Sequence, residues 1–288
     1  MPKIVFHAGQ NNEAAFLQLE QELETKVAQY VNRAFDRYSE GQDQIDSVLR
    51  RLLSRKNLEM ALFPKTPLTQ NDISKLGKQT KNVAFSLEEV TDAGVVTTFQ
   101  KIDQADIGLY AGIFVLPDSP RKVRSIVNNQ AHYKYFRPHV EDSKMCLLSD
   151  GKEAYFTNLI ALGFSVGSVL YSEELSDGSH FHLRPNCTGR DGERLETSGI
   201  VENMDGLKIY FPIAMEENGT ETEKTVTVSA NITVWGGLSG LLMKAVPSQK
   251  KRDTYSMAGF SEILMVLTAQ SNETVITYQS QTQHPTSE

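Results

Sequence analysis

From Asn11 to Met60 the apolar residues recur every three or four positions; beyond Pro120 that spacing stops, and short β-branched and aromatic runs take over. A change of period from helical to strand-like within one chain calls for helices and a sheet that are consecutive in sequence. In the first part Phe16, Leu19, Leu23, Val27, Tyr30, Val31, Ala34, Phe35 and Tyr38 form one apolar stripe separated by Glu, Gln, Lys and Arg. Asn12 is placed to cap this helix and Gly41 to break it. Ile45, Val48, Leu49, Leu52 and Leu53 restart the stripe on a second helix, with Arg50, Arg51 and Arg55 on its other faces, and Pro64 and Pro67 end the hairpin. The stripe has the width a packed helix needs, more than a coiled-coil seam.

The next stretch is mixed. Asn71 to Thr80 predicts a short helix, Val95 to Phe99 a strand after the Asp92-Ala93-Gly94 turn, and Ile102 to Val115 a further helix. Pro117-Asp118-Ser119-Pro120 is the clearest punctuation and sets a boundary between a mainly helical region, 1–117, and a β-rich region, 118–288. There the expected strands are Lys144–Leu148, Glu153–Asn158, Phe164–Leu170, His180–Arg184, Thr197–Val201, Leu207–Pro212, Thr225–Thr233 and Val275–Gln279. Asp-Gly and Asn-Gly pairs at 150, 177, 191, 205 and 218 mark turns, a pattern of antiparallel barrels and sandwiches. In Leu207–Pro212, Lys208 and Tyr210 face away from Leu207, Ile209 and Phe211. Met257–Gln270 reads as a late helix and Ser280–Glu288 as a frayed tail. The fold class is therefore α+β: a helical N-terminal region followed by a barrel-like antiparallel domain.

Several functions are excluded by charge and motif. Against 36 acidic residues stand 29 basic ones, a net charge of −7, which does not suit a binder of nucleic-acid polymers. The apolar run Ile263–Leu267 is far short of the ~20 residues a membrane span needs, and the start of the chain lacks a secretion signal, so a cytoplasmic protein is expected. Cys146 and Cys187 have no CxxC spacing and suggest neither a disulfide framework nor a zinc knuckle. No Gly-x-Ser-x-Gly, P-loop or dinucleotide fingerprint occurs, and no cofactor is implied. Gly236–Gly240 reads as a tight turn or bulge after Trp235, and Lys250-Lys251-Arg252 as a solvated loop.

Two features bear on chemistry. His180 and His182 lie two apart on a strand, hence on one side of it, a spacing found in metal sites; without a third ligand they are two histidines on an exposed sheet face. Arg121 and Arg124 share a helix face that Ser119 or Asp118 can cap, either a solvated surface or a cationic ligand contact.

The stretch His132-Tyr133-Lys134-Tyr135-Phe136-Arg137-Pro138-His139, followed by a strand, an Asp-Gly hairpin and Asn158-Leu159-Ile160-Ala161-Leu162-Gly163, resembles the PilZ family of cyclic di-GMP receptors over roughly residues 132–235. That family carries an Arg-x-x-x-Arg segment ahead of a small six-stranded barrel and an [Asp/Asn]-x-Ser-x-x-Gly motif on it. Arg137 matches the second arginine, while Tyr133 stands at the first; Asn158 and Gly163 match the second motif, while Ile160 stands at its serine. The resemblance implies a non-enzymatic receptor or adaptor in which Arg137 and Asn158 contact a cyclic dinucleotide, Gly163 admits it, and Arg121 or Arg124 supplies the missing arginine. Arginine forks suit such a ligand because they grip phosphate and guanine edges with two parallel bonds. The N-terminal helices would then serve self-association or a protein partner. The alternatives are a metal-dependent enzyme centred on His180 and His182, or a structural subunit without ligand.

Overall fold

The computed structural model describes residues 3–69, 86–102, 107–137, 140–161 and 164–271. The expected helix at 71–80, the strand at 275–279, the tail and Gly163 lie outside the described residues. A short strand β1 (Ile4–His7) leads into α1 (Glu13–Ala34), a 3-10 turn (Asp36–Gly41), α2 (Gln42–Leu52) and α3 (Arg55–Leu62). Every residue of the expected α1 stripe is buried. Asn12 stands at the N-cap, but its side chain bonds backward: Oδ1 accepts from His7 N at 2.8 Å and Nδ2 donates to His7 O at 2.9 Å, fixing the turn out of β1.

After α4 (Leu87–Asp92) come β2 (Val96–Ile102) and β3 (Ile107–Leu116), then α5 (Pro120–Val127) and the single turn α6 (Tyr133–Phe136). The run expected as helix over 102–115 is largely strand. Ile107–Leu116 is apolar on both faces, and such a run does not distinguish a buried strand from a helix by period. Its glycines decide for the strand: a Cβ at Gly108 would lie 2.8 Å from the Phe99 ring of β2.

The remaining strands are β4 (Val140–Leu147), β5 (Glu153–Ala161), β6 (Phe164–Leu175), β7 (Gly178–Arg184), β8 (Asn186–Gly189), β9 (Arg194–Glu196), β10 (Val201–Glu217) and β11 (Thr220–Trp235). Two helices follow, α7 (Gly237–Ala245) and α8 (Ser248–Ser271). The glycine-rich segment expected as a turn thus starts α7, and Lys250–Arg252 lie in the first turns of α8 rather than in a loop. Asn218 and Gly219, with φ of 53° and 76°, make the tight β10–β11 turn, both central residues being left-handed as such hairpins require. Asp205-Gly206 is not a turn: it lies inside β10, where a Cβ at Gly206 would fall 1.8 Å from the Phe181 ring.

All the strands belong to one sheet in the order β2-β3-β11-β10-β7-β6-β5-β4-β8-β9, antiparallel throughout, with β1 added parallel to β10. The fold is α+β with a large antiparallel sheet, and it is not a closed barrel. The strands of residues 132–235 are not a separate six-stranded barrel, because β3, from before residue 117, pairs with β11 over ten residue positions. Cys146 of β4 and Cys187 of β8 form a disulfide with Cα atoms 5.8 Å apart, which their separation of 41 residues did not suggest. Among the described residues no helix is long and apolar enough to cross a membrane.

Strand alternation divides the sheet into two faces. Leu109, Ala111 and Ile113 of β3, Leu207, Ile209 and Phe211 of β10, and Val226, Val228, Ala230 and Ile232 of β11 pack against the stripes of α1, α2 and α3. The opposite face carries Thr225, Thr227, Ser229, Asn231 and Thr233 of β11 with Lys208 and Tyr210 of β10, and α8 lies across it.

Candidate ligand-binding cavity

Between α8 and this second face lies a cavity of about 220 Å³. Its apolar wall is made by Phe114, Val127, Leu159, Leu170, Phe181 and Met204, and its polar wall by Thr157, Ser168, Ser172, Ser229 and Asn231. A second space of about 160 Å³, bounded by Tyr110, Trp235, Met243 and Val246, shares Asn231, Tyr255 and Ala258 with the first.

The charged group of the cavity is a trio in which Glu262 and Lys208 are buried and Arg137 is partly buried. Glu262, 5% exposed, projects from α8, accepts from Lys208 Nζ at 2.5 Å and pairs with the Arg137 guanidinium. Arg137 follows α6; its backbone N–H donates to Tyr133 O at 2.8 Å, and its guanidinium lies 4.1 Å from the centre of the Tyr133 ring. Burial works against the charge of Arg137, but Tyr133 and Glu262 outweigh it and hold its pKa above the ordinary value. With two cations and one carboxylate the trio carries a net positive charge. Four polar atoms of lining residues are buried with no hydrogen-bond partner among the described residues: Arg137 Nε, Glu262 Oε2, Gln130 Oε1 and Asn231 Oδ1.

Tyrosines flank the trio. Tyr210 OH donates to Asn128 Oδ1 at 3.1 Å, and Tyr255 OH lies 2.9 Å from Ser229 Oγ. Burial pushes both phenols well up, so they remain neutral donors, and it pushes Tyr110 up to about 12. Among the described residues that line the cavity there is no histidine, cysteine or aspartate.

The residues expected to form one site are separated. Arg137 is in the cavity, held by Glu262. Asn158 is on the other face of β5, since its neighbours Thr157 and Leu159 line the cavity; its Oδ1 accepts from Ser165 Oγ at 2.9 Å. Arg124 ties α5 to the β6–β7 turn, donating to Ser176 O at 2.9 Å and Leu175 O at 2.7 Å and pairing with Glu174. Arg121 is exposed on α5, whose N-cap Ser119 accepts from Lys122 N as expected. His180 and His182 are not on an exposed face: His180 is 3% exposed beneath the end of α1, and His182 is partly buried against Asp205. Burial and then the neighbouring His182 lower the pKa of His180.

The sequence reading missed Lys208 as a site residue, Glu262, Tyr255 and the hydroxyl row of β11. Two signals pointed to them: the alternation of Val226, Val228, Ala230 and Ile232 with Thr227, Ser229, Asn231 and Thr233, and the lone acid in Phe260-Ser261-Glu262-Ile263-Leu264-Met265-Val266-Leu267. A polar row opposite an apolar helix marks a face that is buried without being dry.

No protein-family model and no curated protein matches this sequence. Among solved structures the chain is similar to a START superfamily protein from Mycobacterium smegmatis, at 10% identity over 54% of this chain and 94% of that one, with a TM-score of 0.39. It is similar to the STAR-related lipid transfer protein from Xanthomonas axonopodis, at 14% identity, coverages of 60% and 92% and a TM-score of 0.38. A third is the Zhui aromatase/cyclase from a Streptomyces species, at 14% identity, coverages of 58% and 96% and a TM-score of 0.40. The structure of the chain itself corrects the PilZ reading. The open sheet and the placement of Arg137 and Asn158 on opposite faces overturn that resemblance and, with it, the cyclic di-GMP site.

Proposed function

We propose that this chain is a binding protein for a small, largely apolar molecule with an acidic or hydroxylated end, held between α8 and the sheet. The observation that supports this reading most is the Arg137–Glu262–Lys208 trio at the wall of a cavity with one apolar and one hydroxyl-bearing wall, with polar atoms on four lining residues that have no partner among the described residues. A buried donor or acceptor left without a partner costs about 1–3 kcal/mol, so this arrangement is stable when a bound molecule or ordered water meets those atoms. Apolar surface that receives the body of a ligand, with polar groups placed to fix its orientation, is the usual make-up of a small-molecule site. The net positive charge favours a carboxylate or phenolate, whose oxygens can accept from Arg137 and Lys208. Pockets for drug-sized ligands measure roughly 300–1,000 Å³, so this smaller space suits a ring system of one or two rings.

Calorimetry with 2-naphthoate, 2-naphthol and naphthalene tests the reading. One equivalent of naphthoate is expected to bind, about tenfold or more tighter than naphthalene, in keeping with the worth of charge-assisted bonds. Ser168→Trp, which fills the cavity, should abolish binding, and Lys208→Met should erase the preference for the acid. Absence of heat with all three probes, or equal binding by Ser168→Trp, overturns the proposal.

A further inference from the structure

At the margin of the helix-covered face, β7 presents His180 and His182 between two carboxylates. Glu173 of β6 is directly opposite His180, and Asp205 of β10 is directly opposite His182. The two imidazole centres are 3.9 Å apart, and one possible ligand atom from each of Glu173, His180 and His182 lies within 4.8 Å of the others.

The outer partners fix which nitrogen of each ring is left over. His180 Nε2 is 3.0 Å from the backbone oxygen of Ala34, an acceptor only, so the proton is on Nε2 and Nδ1 keeps its lone pair. His182 Nδ1 is 2.5 Å from Asp205 Oδ1, so Nδ1 is the donor and Nε2 is the nitrogen left to face an ion. Asp205 is in turn held by Tyr38, whose OH donates to Oδ2 at 3.1 Å. A histidine anchored at one nitrogen by a carbonyl or carboxylate, with the other nitrogen unprotonated, is how metal-ligating histidines are oriented. Glu173 is paired with Arg33 at the end of α1, an exposed partner that can swing away.

We infer that Glu173, His180 and His182 form a site for a divalent first-row transition ion, with Asp205 and Ala34 as positioning groups. Two imidazole nitrogens and one carboxylate oxygen suit zinc and its neighbours in the series, the remaining positions being filled by water. The role is structural. The ligands come from β6 and β7, while the groups that orient them come from β10, the end of α1 and the 3-10 turn after it, so a bound ion fastens the helical layer to the sheet. The inference is independent of the cavity, which lies on the opposite face.

Zinc titration of the tag-free, oxidised full chain by calorimetry, with cobalt absorption as a second readout, is the test. One equivalent of zinc is expected, with cobalt d–d bands of a site containing imidazole. His182→Ala should abolish both signals, and Glu173→Gln, at a partly exposed position that leaves the fold intact, should weaken zinc at least tenfold. Asp205→Asn should weaken it 10–100-fold through orientation alone. Arg33→Gln should tighten it by removing the cation that competes for Glu173, which an adventitious surface histidine would not show. No heat and no cobalt bands in the wild type, or equal affinity in wild type and Glu173→Gln, overturns the inference.

Discussion

The two faces of the central sheet are built from the same three strands and serve opposite ends. Facing α1–α3, β3, β10 and β11 contribute leucine, isoleucine, valine, phenylalanine and alanine in an apolar layer. Facing α8, the alternate positions contribute threonine, serine, asparagine, lysine and tyrosine around a cavity and a charged trio, two members of which are buried. The first face has the composition that maximises burial, at roughly 25 cal/mol per Å² of apolar surface. The second keeps ions that apolar side chains of similar volume would replace at no loss of stability. Under the proposed function, the polar groups that packing does not need are the ones that meet the ligand.

This contrast can be broken from either side. The largest effect is expected from Leu23→Asp, which puts an unpaired charge where the side chain is fully buried among α1–α3 and the sheet. A loss of about 4 kcal/mol or more is expected, and urea denaturation checks it; a small loss would mean that this face admits water. Glu262→Gln follows, at about 3–5 kcal/mol, because it strands Arg137 and Lys208 without their carboxylate. Replacing all three by Met, Met and Leu should restore stability to the wild-type level or above while abolishing naphthoate binding, which separates folding from recognition on this face.

Gly206→Ala should cost about 1–3 kcal/mol, since the new methyl would drive the Phe181 ring out of place and into the cavity. Thermal unfolding and naphthoate affinity should fall together. The smallest effect concerns pH. Burial, helped by the charge of Lys134, holds His132 below the ordinary histidine value of 6.5. As pH falls through that value the unfolded chain takes up a proton that the folded chain does not, so stability declines from pH 7 downward. His132→Gln should flatten that part of the melting-temperature profile.

The dry face was legible in the sequence and the wet one was not. The α1 stripe was read residue by residue because it is a plain helical period with charged residues between. The same rules placed most of β4–β11 and the hairpin turns at 150, 177, 191 and 218. They failed at Ile107–Leu116, where apolar residues on both faces erase the period, and at Asp205-Gly206, where the glycine serves a ring rather than a turn. The cavity depends on partners distant in sequence: Arg137 meets Glu262 across 125 residues and Lys208 meets it across 54, distances at which no local spacing reports contact. The PilZ resemblance therefore joined Arg137 to Asn158, which are close in sequence and on opposite faces of the sheet.

A crystal structure of the protein soaked with 2-naphthoate tests the central claim most directly. The account predicts the ring system between Phe181 and α8, with its carboxylate within hydrogen-bond reach of Arg137 and Lys208. A structure with naphthoate bound elsewhere, and only water between α8 and the sheet, would contradict it.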